Sequence, residues 1–329
     1  MIYNFQKYID NKININSEKY ALIIGLKPSE GARSPKIWNK FYKKLNINCK
    51  MYPADTAEIN LKKLINCISK DKKFVGAAVT MPYKETIIKH LDTLDESAKR
   101  IGSINTILKK HNKLKGYNTD YLACKNLFNK FKNKKKILIL GLGGVGKAAL
   151  VALTDIFKNK KINIFNRDIK KVRKFVKNLK KQNIIIESYR MLHNLENIDL
   201  IINATSVGFD LWQKKKNNFF NLKFFSPLSD LKKIVCIKTK NEKKFCKLNK
   251  DLLNSNILDT KSFLKRNKNI SLIDIVYQPR KTTFMKLSEK ENVGTENGLK
   301  INKTQAIKAF VIVNNIINSK LKKKIFNIL

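Results

Sequence analysis

Three short stretches in the first 120 residues carry side chains that can move protons or hold a polar substrate. They are VTMPYK at 79–84, GSINT at 102–106 and GYNTD at 116–120. If folding brings these loops to one cleft, the Lys84 ammonium and the Asp120 carboxylate form a proton-transfer pair beside orienting amides and hydroxyls. Taken singly, each residue has a plainer interpretation: Lys84 as a solvated lysine, Asp120 as a helix N-cap and Asn105 as a turn residue. The hypothesis therefore requires that the loops meet.

A second chemical signal is a glycine turn, GLGGVG at 141–146, placed between the apolar run KILIL and a helical pattern. Gly141, Gly143 and Gly146 have the spacing G-x-G-x-x-G. In this spacing the first glycine permits a tight turn and the second lets a pyrophosphate approach the backbone. A helix starting at about Val145 would offer free N–H groups and the positive end of its dipole. We therefore expect a dinucleotide here, against the alternative that the glycines only turn the chain.

The same letters also fit a phosphate-binding P-loop, G-x-x-x-x-G-K, as far as Lys147. A P-loop needs a Ser or Thr hydroxyl at the next position to hold magnesium. Ala148 stands there instead. The sequence therefore favours a dinucleotide over a nucleoside triphosphate.

The residues after the next predicted strand bear on the choice of cofactor. Folds that bind NAD usually place an acid there against the ribose hydroxyls. This chain has Asn166, Arg167 and Asp168, with Lys171 shortly after. A guanidinium can stack on adenine and clamp a 2′-phosphate, so Arg167 predicts NADP. Asp168 could instead accept from a ribose hydroxyl, which leaves NAD open as well.

The charge of the chain is far from balanced. Its 69 Lys and Arg against 25 Asp and Glu give a net charge of +44 at pH 7. A cationic surface gains affinity for nucleic acid by releasing counterions from phosphates, so a non-catalytic nucleic-acid-binding protein is an alternative of a different class. The lysines are spread along the whole chain, which indicates compositional bias rather than a localised binding surface. We therefore expect a small-molecule substrate and no nucleic-acid partner.

The cysteines and histidines predict no metal site. The five cysteines include no C-x-x-C pair, so they indicate neither a disulfide framework nor a zinc knuckle and are typical of a reducing compartment. The three histidines lie far apart, at His90, His111 and His193. The first twenty residues are polar, and no long apolar run occurs. We expect a cytoplasmic protein without a metal or a membrane segment, either a monomer or a homodimer.

Apolar strand patterns alternate with helical patterns, which predicts an α/β fold. Strands are expected at 20–25, 49–53 and 74–80, and a helix near Pro35 with Ser34 as its N-cap. KILIL at 136–140 restarts the pattern, and further strands are expected at 199–203 and 271–277. Residues 305–329 predict one packed terminal helix. The stretch 211–269, dense in Lys, Asn and Phe, gives no clear assignment.

This pattern divides the chain into two domains. We expect an N-terminal α/β substrate-binding domain at 1–120, with 303–329 packing back on it. A Rossmann-like dinucleotide-binding domain is expected at 121–302, carrying the long insert at 211–269. Ligands of such folds gather at the carboxyl ends of parallel strands.

Together and in order, these motifs resemble the shikimate dehydrogenase family over nearly the whole chain, from about Tyr20 to Gln305. The matching stretches are SP at 34–35, VTMPYK at 79–84, INT at 104–106, NTD at 118–120, GLGG at 141–144, NR at 166–167, NATSVG at 203–208, DIVYQP at 274–279 and NGL at 297–299. The resemblance implies NADPH-dependent reduction of 3-dehydroshikimate to shikimate, on the route to chorismate and the aromatic amino acids.

The resemblance also implies roles for individual residues. Lys84 would be the general acid or base, with Asp120 as its partner. The substrate carboxylate and hydroxyls would contact Ser34, Thr80, Asn105, Tyr277 and Gln305. The phosphates and adenosine end of the cofactor would contact Gly141, Gly143, Gly144, Val145, Gly146, Asn166, Arg167 and Lys171. The nicotinamide end would border Thr205, Ile275 and Gly298.

Two departures from the family pattern concern specificity. Ala32 stands where the family has the first serine of S-x-S-P, which removes one hydroxyl, although Arg33 could supply a charge-assisted contact. This change makes a quinate or aminoshikimate dehydrogenase of the same family the alternative. Lys300 stands where the family has a small residue near the cofactor.

Overall fold

A computed structural model describes residues 5–179, 183–188, 192 and 194–328. They form two compact units. Unit 1 holds the residues up to Cys124 together with those from Lys303 onward, and unit 2 is Lys125–Asn302. His193 lies outside the described residues. Within the part that is described, no helix is long and apolar enough to cross a membrane.

The strands are short and mostly buried. They are β1 (Lys19–Gly25), β2 (Cys49–Asp55), β3 (Phe74–Val79), β4 (Thr93–Leu94), β5 (Thr106–Lys110), β6 (Lys113–Tyr117), β7 (Lys136–Leu140), β8 (Lys161–Phe165), β9 (Ile184–Glu187), β10 (Leu200–Asn203), β11 (Trp212–Lys215), β12 (Asn218–Asn221), β13 (Ser271–Asp274) and β14 (Gly294–Asn297).

The helices separate these strands along most of the chain. They are α1 (Ser34–Lys44), α2 (Leu61–Lys70), α3 (Glu96–Ile101), α4 (Thr119–Phe128), α5 (Gly144–Ile156), α6 (Ile169–Leu179), α7 (Glu242–Leu248), α8 (Lys250–Arg266), α9 (Thr283–Lys290), α10 (Leu299–Val313) and α11 (Ser319–Asn327). The chain leaves unit 1 within α4 and re-enters it within α10.

Unit 1 is built on a six-stranded sheet in the order β2-β1-β3-β5-β6-β4. β1 pairs in parallel with both β2 and β3, whereas β5 runs antiparallel to β3 and β6. Because successive side chains of a strand point to opposite faces of the sheet, Leu22 and Ile24 of β1 lie on one face and Ala21 and Ile23 on the other. The apolar side of α2 covers the first face, and α1 with α10 covers the second. The sheet is therefore buried on both sides.

Two expectations about helix ends are wrong. Ser34 is not the N-cap of α1 but its first helical residue, and Arg33 precedes it without a side-chain capping bond. An N-cap residue needs a non-helical backbone, which Ser34 lacks. The terminal segment forms α10 and α11 rather than one helix. Asn315 has a φ of 48°, in the left-handed region that ends helices.

Unit 2 contains a six-stranded parallel sheet in the order β14-β13-β10-β7-β8-β9. When the six strands of this sheet are numbered along the chain from β7, and the sheet is read from β9 to β14, the order is 3-2-1-4-5-6. This is the strand order of the doubly wound dinucleotide-binding fold. In that fold the ligand lies at the carboxyl ends of the strands, where the order reverses beside the first strand. The glycine turn follows β7, at this position in the sheet.

The segment that the sequence left unassigned forms a hairpin and two helices. β11 and β12 pair antiparallel, and α7 and α8 follow. A small aromatic core joins them, in which the rings of Trp212 and Phe225 both meet Phe245 edge-on, at centroid distances of 5.7 and 6.4 Å. The insert is thus a packed part of unit 2.

Candidate active site

Lys84 and Asp120, which the sequence predicts to meet in one cleft, form an ion pair in unit 1. Lys84 Nζ and Asp120 Oδ2 are 2.6 Å apart, and their side chains are 18% and 7% exposed. Because the pair is largely shielded from water, the carboxylate holds the ammonium in one direction. The interpretation of Lys84 as a solvated lysine is wrong. The pair offers a charged proton donor at a fixed position.

Hydrogen bonds from Asn118 place Asp120. The Oδ1 of Asn118 accepts from the backbone N–H of Tyr121 at 3.0 Å, and its Nδ2 donates to the carbonyl of Ser103 at 2.8 Å. Asn118 thus caps α4, and the interpretation of Asp120 as the N-cap is wrong. The carbonyl of Lys84 accepts from a backbone N–H in the same 102–106 loop, at 2.7 Å. These hydrogen bonds join the loops at 79–84, 102–106 and 116–120.

Asn105 is buried at the centre of a second hydrogen-bonded group. Its Oδ1 accepts from the backbone N–H of Thr119 at 2.8 Å and from the hydroxyls of Thr119 and Thr106, each at 3.1 Å. Its Nδ2 donates to Oε1 of Gln305, in α10, at 3.2 Å. Asn105 does lie at a bend of the chain, but its side chain is buried. It joins two of the loops to the helix that returns to unit 1.

Thr80 and Ser34 both lie in unit 1. The backbone N–H of Thr80 donates to the carbonyl of Ile24 at 2.9 Å. The methyl of Thr80 is so close to Gly25 that a Cβ on that glycine would lie 2.4 Å from it. Ser34 is half-buried in the first turn of α1. Among the described residues, neither side chain belongs to the hydrogen-bonded group around Asn105.

In unit 2, the glycine turn has the geometry that a dinucleotide requires. Gly141 has a φ of 95°, and a Cβ there would meet the Thr205 methyl at 2.8 Å. A Cβ on Gly146 would lie 2.4 Å from the carbonyl oxygen of Gly141. Gly143 is exposed, with no heavy atom within 4 Å of its Cβ position, and it precedes the first helical residue, Gly144. The first N–H groups of α5, including that of Val145, lack acceptors within the helix and can donate hydrogen bonds to phosphate oxygens.

The Lys147 side chain does not have the position that a P-loop lysine needs. It is buried, and its Nζ lies 5.5 Å from the centre of the Phe175 ring of α6. A P-loop lysine must instead reach the terminal phosphates. This placement favours the interpretation of the glycine turn as a dinucleotide-binding site.

The loop after β8 separates the roles of Arg167 and Asp168. Asn166 accepts from the backbone N–H of Leu142 at 3.1 Å, which fixes this loop against the glycine turn. Oδ1 of Asp168 accepts from the backbone N–H of Lys171 at 2.9 Å and so caps α6. The Arg167 and Lys171 side chains are exposed beside it. The carboxylate is engaged by the backbone, whereas the guanidinium is accessible to a phosphate.

Asn203 holds the Thr205 loop. Its Oδ1 accepts from the Thr205 hydroxyl at 2.7 Å and from the Thr205 backbone N–H at 3.1 Å. Its Nδ2 donates to Oδ1 of Asp274 at 2.9 Å and to the carbonyl of Val207 at 3.1 Å. The two motifs NATSVG and DIVYQP are therefore joined through buried side chains.

Asp274 is completely buried at the end of β13, and the hydrogen bonds it accepts from the described residues all come from neutral groups. It accepts from the Thr282 hydroxyl at 2.6 Å, from the Val276 backbone N–H at 3.0 Å and from Asn203. Burial raises the pKa of Asp274 to about 7, although these three hydrogen bonds oppose the increase. The carboxyl group therefore titrates near neutral pH.

Ile275 and Gly298 are in close contact. A Cβ on Gly298 would lie 1.9 Å from the carbonyl oxygen of Ile275, so this position requires glycine. The Tyr277 ring packs edge-on against Phe209, with ring centres 6.3 Å apart. The Lys300 side chain is exposed, and the adjacent Lys130 lowers its pKa.

Sequence reasoning assigned no role to several residues that position these sites. They are Asn118, Thr119, Asn203, Asp274 and Thr282. Asn203 and Asp274 each end a buried apolar strand, which is a signal for a side chain at the ligand edge of a sheet. The part of the chain that the structure describes contains no group of three or more His, Cys, Asp or Glu side chains that could hold a metal.

The parallel sheet, the glycine turn and the lysine–carboxylate pair define a two-unit α/β protein of the dinucleotide-dependent dehydrogenase class. Family models agree with this assignment. "Shikimate dehydrogenase substrate binding domain" matches residues 23–107, and "Shikimate / quinate 5-dehydrogenase" matches residues 122–220.

Individual relatives cover most of the chain. It is 31% identical over 295 residues to the shikimate dehydrogenase (NADP(+)) of Methanosphaera stadtmanae, covering 87% of this chain and 88% of that one. It is 38% identical over 200 residues to the protein of the same name from Pyrococcus furiosus, covering 60% and 70%. A crystal structure of shikimate dehydrogenase 1 from Peptoclostridium difficile is similar with a TM-score of 0.66 and 29% identity, covering 94% and 97%. The chain belongs to the shikimate dehydrogenase family.

Proposed function

We propose that this protein is an NADP-dependent shikimate dehydrogenase, which reversibly reduces 3-dehydroshikimate to shikimate on the route to chorismate and the aromatic amino acids. The observation that carries the proposal is the shielded ion pair between Lys84 Nζ and Asp120 Oδ2, at 2.6 Å. In a member of this family, such a pair provides the proton that reduction of a ketone needs.

In the proposed reaction the Lys84 ammonium donates a proton to the substrate carbonyl oxygen. Asp120 holds the ammonium in a fixed direction, so that the ammonium also stabilises negative charge as it develops on that oxygen. When bound, NADPH supplies the hydride that reaches the carbonyl carbon. The C=O group becomes CH–OH, and solvent then reprotonates Lys84. Oxidation of shikimate is the reverse of these steps.

The remaining residues have binding roles in this proposal. The proposed substrate-binding domain is 1–120 with 303–329, and the proposed substrate contacts are Ser34, Thr80, Asn105, Tyr277 and Gln305. The cofactor is held by Gly141, Gly143, Gly144, Val145, Gly146, Asn166, Arg167 and Lys171, with Thr205, Ile275 and Gly298 at its nicotinamide end. The buried hydrogen bonds of Asn105 and Asn203 support these roles, because rigid side chains fix the reacting geometry.

The first test is the rate of NADP⁺ reduction by the purified protein with shikimate. Lys84→Ala is expected to lower kcat by about 10³-fold with little change in KM, since general acid–base groups contribute about 10²–10⁴-fold. Lys89→Ala removes the same charge from an exposed position five residues away and should leave both constants unchanged. An unaltered kcat in a folded Lys84→Ala protein would refute the assigned role.

Ala32 favours a second candidate, a quinate or aminoshikimate dehydrogenase of the same family. The two are separated by comparing kcat/KM on shikimate with that on quinate. We expect shikimate to be preferred at least about tenfold, since one lost hydroxyl contact is a modest fraction of substrate recognition. The reverse preference would establish the second candidate. We place the reaction in the cytoplasm, where the five free cysteines would stay reduced.

A further inference from the structure

A cavity in unit 1 lies at the opposite end of β3 from Lys84. Its volume is about 510 Å³. Its walls include the first residues of β1, β2 and β3 and the turn after β5, which runs in the opposite direction. Thr80 and Lys84 follow the other end of β3. With about 3.3 Å per strand residue, the two ends of β3 are roughly 20 Å apart.

Positively charged side chains dominate one side of this cavity. Lys19, Lys72 and Lys109 line it together with His111, and none of the described lining residues carries a carboxylate. The carboxylate of Asp71 lies outside the lining and accepts from the Tyr20 hydroxyl at 2.7 Å and from a backbone N–H at 2.9 Å, although its charge also acts on Lys109. Three ammonium-bearing side chains thus line the cavity with one acid beside them.

The other side of the cavity is apolar. Phe74 and Val313 contribute its apolar surface, together with Ile47 and Val75. The cavity therefore joins a cationic wall to an apolar one.

Lys109 shows that the site is partly withdrawn from water. Its ammonium donates to the backbone carbonyl of Asp71, and burial lowers its pKa. A cation in such a position attracts an anion more strongly than a solvated surface lysine does. The cavity therefore differs from the evenly spread lysines on the rest of the surface.

We propose that this cavity is a second binding site, distinct from the catalytic pair, for a small organic anion that carries one carboxylate or phosphate on an apolar body. Lys19, Lys72 and Lys109 hold the anionic group, and Phe74 and Val313 contact the apolar part. The volume lies within the range of about 300–1,000 Å³ that is usual for small-molecule sites.

The test uses the full-length protein and calorimetric titration with phenyl phosphate, benzoate and inorganic phosphate in 0.15 M salt. At this ionic strength the Debye length is about 8 Å, which suppresses diffuse attraction to the net charge. Saturable binding of phenyl phosphate or benzoate, tighter than that of inorganic phosphate, is expected. Whichever of the two organic anions binds tighter identifies the anionic group that the site selects.

The matched variants are Lys19→Gln/Lys72→Gln in the cavity and Lys62→Gln/Lys63→Gln on the exposed side of α2. Both remove two charges from unit 1. The cavity variant should weaken binding at least about tenfold, and the control should retain it. An equal loss in both variants, no loss in either, or no saturable binding to the parent protein would each overturn the proposal. Because none of these lysines belongs to the proposed catalytic machinery, dehydrogenase activity should persist in both variants.

Discussion

Asp120 and Asp274 are both buried carboxylates, one in each unit, but their partners differ in kind. Asp120 meets the ammonium of Lys84 at 2.6 Å. In the part of the chain that the structure describes, Asp274 meets neutral donors, from Thr282, Asn203 and a backbone N–H. A buried charge is stabilised by an opposite charge far more than by neutral dipoles. The first carboxylate therefore holds a cation in place, as the proposed proton transfer requires, whereas the second is a structural junction that titrates near neutral pH.

The largest effect expected from this difference is on stability as a function of pH. The folded-state pKa of Asp274, about 7, lies above its ordinary value of 3.8. The neutral acid is thus favoured in the folded protein. The contribution of Asp274 to the free energy of unfolding is complete below about pH 4. It falls between about pH 4 and 7 and then levels off about 4 kcal/mol lower. Asp274→Asn, which stays neutral, should remove this decline.

The measurement is the free energy of unfolding by urea at several pH values, for the parent and for Asp274→Asn. The difference between the two curves isolates the Asp274 contribution, since all other groups titrate in both. Asp251→Asn, an exposed substitution in α8, serves as the control and should follow the parent curve. Parallel curves for Asp274→Asn and the parent from pH 4 to 8 would contradict the assignment.

A smaller effect is expected for Asp120→Asn, and it concerns activity. The amide keeps the shape of the side chain but loses the charge that holds the Lys84 ammonium. We expect kcat to fall about 100-fold, equivalent to about 2.7 kcal/mol, with a much smaller change in KM. Asp10→Asn, at an exposed position of the same unit, should have no effect on either constant. If Asp120→Asn raised only KM, Asp120 would serve binding rather than proton transfer.

The same comparison shows which parts of the site were predictable from the sequence. Lys84, Asp120 and the glycine turn follow apolar strands or lie in loops with specific spacing, so local pattern places them at the ligand edge. The sequence could not show that Asp274 is buried beside neutral donors. That property depends on Thr282 and Asn203, which are remote from one another along the chain.

The errors in the predicted fold have a common physical origin. The apolar periodicity of 305–329 continues through Asn315, yet the chain turns there because asparagine tolerates the left-handed conformation. Ser34 has the residue type of an N-cap, but its backbone is already helical. In the insert, the aromatic contacts of Trp212 and Phe245 join segments about 30 residues apart, which periodicity does not detect. Residue type and period therefore predict elements better than their ends or long-range partners.

The smallest expected effect sharpens the comparison with a third carboxylate, Asp168, which is exposed. Its Oδ1 caps α6, and the exposed Arg167 beside it can face a 2′-phosphate. Arg167→Gln should raise the KM for NADP⁺ about tenfold, or about 1.4 kcal/mol, because an exposed charge-assisted contact is lost. The KM for NAD⁺, which lacks that phosphate, should change less than about twofold. Arg173→Gln, an exposed arginine on α6, removes the same charge and should leave both constants unchanged. Equal changes for both cofactors in Arg167→Gln would show instead that the guanidinium contacts the adenine they share.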